Sequence, residues 1–150
     1  MKKHSIQILE ISEMLGIPFI GANVCIEGLN LCNRETRYNS ILSYIASTRY
    51  LGLLKNNESV KALFISSDVY DELKMDGSFQ IPTLFIVENP EVSFYYLHHL
   101  LHKASFYEKY DFKSKIGNDC FIHRTAVIED GVILGNGVRV GANSVIKRGT

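Results

Sequence analysis

Of the side chains able to move protons or hold a metal, the histidines come first. His98 and His102 are four residues apart, a spacing at which two imidazoles of one helix share a face and can grip a zinc ion. A zinc site needs further ligands, and none stands beside them. The stretch therefore reads as the polar face of a helix, and no metal is expected. His99, next to His98, faces another direction, and His123 reads as a surface turn residue. Asp68, Asp71 and Glu72 crowd three carboxylates together, a pattern read as a solvated face. Cys25, Cys32 and Cys120 are odd in number and widely spaced. They suit neither a disulfide framework nor a zinc site and fit free thiols in a reducing compartment, which gives a cytoplasmic reading. No Gly-x-Ser-x-Gly, Walker sequence or paired-cysteine motif occurs.

The chain that must position any site has 46% hydrophobic and 21% charged residues, the balance of a globular protein. Sixteen basic and sixteen acidic residues cancel. Such a chain offers no counterion-release term to nucleic acid and no field toward an anionic membrane, so neither is an expected partner. No apolar run approaches the length of a transmembrane segment, and the basic start, Met1-Lys2-Lys3-His4, is followed by Gln7 and Glu10 rather than a signal-peptide core.

The strongest pattern lies at the carboxyl end. An aliphatic residue recurs at every sixth position: Ile116, Ile122, Ile128, Leu134, Val140 and Ile146. Four residues after each stands a small or β-branched one, or a cysteine, and Gly117, Gly135 and Gly141 directly follow their aliphatic neighbours. A period of six fits neither a helix nor a long strand. It fits a prism of short strands whose aliphatic residues point inward and whose glycine and asparagine positions turn the corners. Gly135-Asn136-Gly137 falls within this phase and reads as a turn rather than a phosphate loop.

Residues 1–110 carry no such period and read as mixed α/β. Ser12–Leu15, closed by Gly16, predicts a short helix; Val24–Leu29 and Ser40–Ile45 have strand character. Ser47 is a candidate N-cap for a helix running to Asn56-Asn57. Ala62–Ile65 and Thr83–Val87 are continuous apolar runs, as in buried strands. Asn89-Pro90-Glu91 opens a helix that sets Leu97, Leu100, Leu101 and Ala104 on one face, and 106–115 would connect to the hexads.

This order of elements resembles the UDP-3-O-(3-hydroxyacyl)glucosamine N-acyltransferase family, the hexapeptide-repeat acyltransferases of lipid A biosynthesis. The order runs from a strand ending in an aromatic through a helix beginning Ser-Thr-Arg-Tyr and two apolar strands to an Asn-Pro helix leading into hexads. The resemblance covers essentially the whole chain. It implies an α/β uridine-nucleotide-binding domain over residues 1–110, followed by the first coils of a left-handed parallel β-helix over 111–150. About two coils would fit before Thr150, in mid-repeat, so a truncated amino-terminal piece of a longer protein is expected.

The family's activity moves a 3-hydroxyacyl chain from acyl carrier protein to the amine of a UDP-sugar, with no cofactor. Its uracil lies between two aromatic rings in a segment that usually reads Phe-Leu-Ser-Asn-Pro-Lys-Tyr. The matching stretch here is Tyr44-Ile45-Ala46-Ser47-Thr48-Arg49-Tyr50, which makes Tyr44, Ser47 and Tyr50 the uracil-binding candidates. Two rings facing each other across a strand–helix turn suit this task, since stacking contributes roughly 1–3 kcal/mol per base. Ser47 and Thr48 depart from the family's asparagine and proline, and a hydroxyl cannot match both uracil edges as an amide can. The family's catalytic histidine would lie beyond Thr150, so no catalytic residue is assigned, and the 150 residues alone are expected to be inactive. The resemblance also implies homotrimers of the whole protein. Two alternatives stay open: an acyltransferase for a different nucleotide sugar, and a non-catalytic β-helix scaffold or binding module.

Overall fold

The computed structural model describes residues 5–55, 57–77, 80–107 and 112–150, divided between two compact units, Met1–Tyr107 and Glu108–Thr150. In the first unit β1 (Ile6–Gln7) leads directly into α1 (Ile8–Leu15). The Glu10 carboxylate accepts from the Gln7 N–H at 2.8 Å, holding the first turn, and Gly16 ends the helix at φ 66°. The helix is longer than the expected Ser12–Leu15 because Ile8 and Ile11, one turn apart, are both fully buried.

Next come β2 (Ile20–Gly21), β3 (Cys25–Ile26) and β4 (Gly28–Leu29). The single strand expected over Val24–Leu29 is thus two. β3 pairs antiparallel with β1, whereas β4 enters the main sheet beside β5 (Ile41–Ile45). Glu27 is the step between them, its N–H donating to the Ser40 carbonyl at 2.8 Å. A 3-10 helix (Thr48–Leu54) follows, then β6 (Val60–Ile65), α2 (Ser67–Asp76), β7 (Thr83–Ile86) and α3 (Pro90–Lys103). The sheet order is β2-β7-β6-β5-β4, parallel throughout except for the β2 edge.

Side chains alternate across this sheet. Leu42, Ala62, Phe64 and Phe85 face α1 and α3 and pack with Ile8, Ile11, Phe94, Leu97 and Leu101. Ile41, Ile45, Leu63 and Ile65 face the 3-10 helix and α2, meeting Leu51, Leu54, Val69 and Leu73. Cover on both faces explains why Ala62–Ile65 reads as a continuous apolar run. The Asn89 side chain caps α3, accepting from the Val92 N–H at 3.1 Å. The buried stripe of α3 is Phe94, Leu97 and Leu101; Leu100 is only half-buried and Ala104 is exposed.

The helix after Ser47 is 3-10 rather than α, and Ser47 stands at its cap position without a side-chain capping bond. The tighter winding of three residues per turn aligns Leu51 with Leu54, the two buried residues of the segment. Asn56 lies outside the described residues.

In the second unit six two-residue strands follow at intervals of six: β8 (Lys115–Ile116), β9 (Phe121–Ile122), β10 (Val127–Ile128), β11 (Ile133–Leu134), β12 (Arg139–Val140) and β13 (Val145–Ile146). β8 pairs with β11, β9 with β12 and β10 with β13, all parallel and all between residues eighteen apart. Three strands therefore make one turn of a coil, and the second coil stacks on the first. Phe121, Val127, Ile133 and Val145 point outward and are more than half exposed, whereas Ile122, Ile128, Leu134 and Ile146 are half-buried and Val140 is buried. Ile116, in the first strand, is 48% exposed rather than enclosed, while Val132 is fully buried. Asp119 (φ 56°) and Gly137 (φ 69°), one coil apart, turn the same corner in the left-handed region.

Candidate functional site

Tyr44 is the penultimate residue of β5, at the carboxyl end of a parallel strand. Alternation along β5 sends its ring to the α3 face, beside the cluster that holds Leu42 and Phe94. There the ring centroid lies 5.1 Å from that of Phe94 and 6.4 Å from that of Tyr95. Its hydroxyl donates to Glu91 Oε1 at 3.3 Å. Burial first, and then the Glu91 carboxylate, push the Tyr44 hydroxyl up to about 12, so it stays a neutral donor at any ordinary pH.

The chain leaves β5 through Ala46 and Ser47 and winds at once into the 3-10 helix, where the Ser47 carbonyl accepts from the Tyr50 N–H at 3.0 Å. Tyr50 is 40% exposed. The Arg49 guanidinium lies over its ring, 4.5 Å from the centroid, and Nη2 donates to the Tyr50 hydroxyl at 2.5 Å. The three expected residues are therefore within one strand–helix turn. The ring contacts of Tyr44 are with α3, however, and those of Tyr50 are with Arg49.

Arg49, Glu91 and Tyr95 were not singled out from the sequence as site residues. Glu91 and Tyr95 are four apart in a helix and so share a face, but nothing in their spacing tells which strand end that face meets. Two clefts lined by described residues lie elsewhere. One, of about 570 Å³, is bounded by Arg34, Glu35, Thr36 and Leu53 with Cys32 and Asn57. The other, of about 460 Å³, is bounded by Lys55, Glu58, Lys61 and Ile81 among others. Neither includes Tyr44, Ser47 or Tyr50.

His98 Nδ1 is 2.6 Å from the Tyr107 hydroxyl, which burial pushes up to about 12. Asp68, Asp71 and Glu72 lie exposed on α2. All three cysteines are free, and burial raises the Cys32 thiol. Among the described residues no group of three or more metal-ligating side chains gathers, and no helix is long and apolar enough to cross a membrane.

In the second unit the corners repeat one device: a side chain of one coil bonding the backbone of the other. Asn136 Oδ1 accepts from the Asn118 N–H at 2.8 Å, Thr125 Oγ1 from the Asn143 N–H at 3.0 Å, and Glu129 Oε2 from the Arg148 N–H at 3.0 Å. Residues 113–148 match the family model described as bacterial transferase hexapeptide (six repeats). Over that stretch the stacked coils are similar to a bacterial transferase hexapeptide repeat. No curated protein matches the chain. Within the hexapeptide unit, His123 Nδ1 is 3.0 Å from Thr125 Oγ1, which places the imidazole in a corner rather than at a site.

Proposed function

We propose that this chain serves an acyltransferase that moves a 3-hydroxyacyl group from acyl carrier protein to the amine of a UDP-3-O-acylglucosamine, as in lipid A synthesis. The observation that carries the reading is the transferase hexapeptide repeat at 113–148, following an α/β unit whose strand–helix turn bears Tyr44 and Tyr50. In this reading residues 1–110 recognise the uridine nucleotide and residues 111–150 form the opening coils of a left-handed β-helix. Tyr44, Ser47 and Tyr50 take the uracil. The sugar amine attacks the acyl thioester carbon, the C–N bond forms as the C–S bond breaks, and a base outside these residues accepts the amine proton. The whole protein works as a cytoplasmic homotrimer without a cofactor.

A second nucleotide sugar remains a defined alternative. Ser47 offers one hydroxyl where the family has an amide, and Tyr44 is drawn to Glu91, an acceptor-only carboxylate beside the proposed base. Calorimetric titration of the chain with UMP and CMP, repeated on a Tyr44→Ala, Tyr50→Ala double variant, tests both readings. Saturable UMP binding that the double variant loses supports the uridine site. Preference for CMP supports the alternative base. No binding of either at millimolar ligand removes nucleotide recognition from this turn.

A further inference from the structure

We infer that Arg49 is a phosphate-pairing residue that also guards the Tyr50 ring. A base can stack on Tyr50 only after the guanidinium leaves that ring, and the nucleotide's own phosphate then becomes the guanidinium's partner. The inference rests on the reading of the Tyr44–Tyr50 turn as a nucleotide site.

Three observations carry it. First, Tyr50 is 40% exposed, and the exposed Arg49 lies over its ring with the guanidinium carbon 4.5 Å from the centroid. Arg49 thus covers one face of an exposed tyrosine, and a flat base stacking on that face would have to displace it. Second, among the described residues the side-chain contacts of Arg49 are with its neighbour Tyr50. Its hydrogen bond goes to the neutral Tyr50 hydroxyl, and no carboxylate pairs with it among the described residues. A cation–π contact at an exposed site is weak enough to be displaced by a better partner. Third, the chemistry of that partner is specified. A guanidinium carries a planar fork of donors matched to phosphate oxygens, and charge-assisted bonds of this kind outweigh neutral ones. In a nucleotide the phosphate lies a sugar's width from the base, within the sweep of a side chain adjacent in sequence to the stacking ring. The Glu91 carboxylate is engaged by the Tyr44 hydroxyl.

The mechanism makes the two halves of a nucleotide interdependent. The base must displace Arg49, which opposes nucleoside binding, and the phosphate rewards the displacement. Ligands without a phosphate should therefore bind worse to the natural chain than to a chain lacking the guanidinium.

The test is calorimetric titration of uridine and UMP into the natural chain, an Arg49→Gln variant and a Lys103→Gln variant. Lys103 lies in the last turn of α3, so its loss removes the same charge at the helix end opposite Glu91. In the natural chain UMP is expected to bind on the order of tenfold tighter than uridine. In Arg49→Gln that advantage should vanish, while uridine binds about two- to fivefold tighter because its ring is uncovered. Lys103→Gln should keep the natural pattern. If Arg49→Gln retains the UMP advantage, or weakens uridine and UMP alike, the assignment of Arg49 is overturned and the nucleotide site survives. If neither ligand saturates the natural chain at millimolar concentration, the site and the inference fall together.

Discussion

Gly117 offers the sharpest test of how the coils are held together. A methyl group built on Gly117 would stand 2.6 Å from the Gly135 carbonyl carbon, 2.6 Å from Asn136 Oδ1 and 2.7 Å from Asn136 N. Carbon atoms do not approach other heavy atoms so closely, and two of the three obstacles are backbone. The third could rotate away, but Asn136 Oδ1 is the acceptor for the Asn118 N–H at 2.8 Å. Separating the coils instead stretches Gly117 N–H to Leu134 O, at 2.9 Å, and Gly137 N–H to Asn118 O, at 2.8 Å. Overpacking costs typically 1–3 kcal/mol and each lost hydrogen bond about 1 kcal/mol, so Gly117→Ala should destabilise the second unit by about 2–4 kcal/mol.

Gly135 holds the same phase of the hexad and supplies the control. A methyl group there meets nothing within 4 Å, because no further coil stacks on it within the 150 residues. Gly135→Ala should be neutral or stabilising by up to about 1 kcal/mol through the lost freedom of the unfolded chain. Urea unfolding followed by circular dichroism, with hydrogen exchange read at the Gly117 and Gly137 amides, separates the two variants. Faster exchange and a lower midpoint for Gly117→Ala alone are expected. Equal behaviour of the two variants would refute the close approach of the coils at this corner.

Three further outcomes follow from the first unit. Asn89→Ala removes the side-chain cap of α3 and should cost about 1 kcal/mol in a thermal melt, whereas Asn89→Asp keeps the acceptor and most of the stability. Leu97→Ala empties a fully buried position and should cost about 2–5 kcal/mol, against at most about 0.5 kcal/mol for Tyr96→Ala at a half-exposed one. Tyr44 and Tyr107 ionise near 12 in the folded chain, above the ordinary value of 10. The folded state therefore binds more protons than the unfolded state in that interval, and the stabilisation present below pH 10 is lost as the pH rises through 12. Tyr44 and Tyr107 should ionise late in an ultraviolet titration, and Tyr44→Phe and Tyr107→Phe should each reduce that late step.

The sequence was most legible where one force acts alone. Stacked coils turn one aliphatic residue per hexad inward, Ile116 excepted, so the period of six survives in the sequence, and the three strand pairings fall at the eighteen-residue spacing it implies. The Asn-Pro-Glu start of α3 was equally plain, because a cap is a local bond. Legibility failed where the partner was distant. Nothing between Val24 and Leu29 tells that Ile26 pairs with Ile6 while Leu29 pairs with Leu42, since both pairings are chosen by segments far along the chain. The 3-10 winding after Ser47 was hidden for a related reason. Apolar residues three apart satisfy an α-helix as well, and the choice follows from how Leu51 and Leu54 meet α2 and the sheet.

The same distinction separates the two tyrosines that the sequence treats as a pair. Tyr44 is fixed by tertiary contacts: Phe94 and Tyr95 hold its ring and Glu91 its hydroxyl, all from a helix more than forty residues on. Tyr50 is tied locally, by its N–H to Ser47 and by its ring and hydroxyl to Arg49. One ring is set by the fold and the other by the turn. On the proposed reading of this turn, Tyr44 would orient a ligand and Tyr50 with Arg49 would control its admission. Substitutions at Ser47 and Thr48, which shape only the turn, would then alter which ligand is admitted without disturbing the sheet beneath.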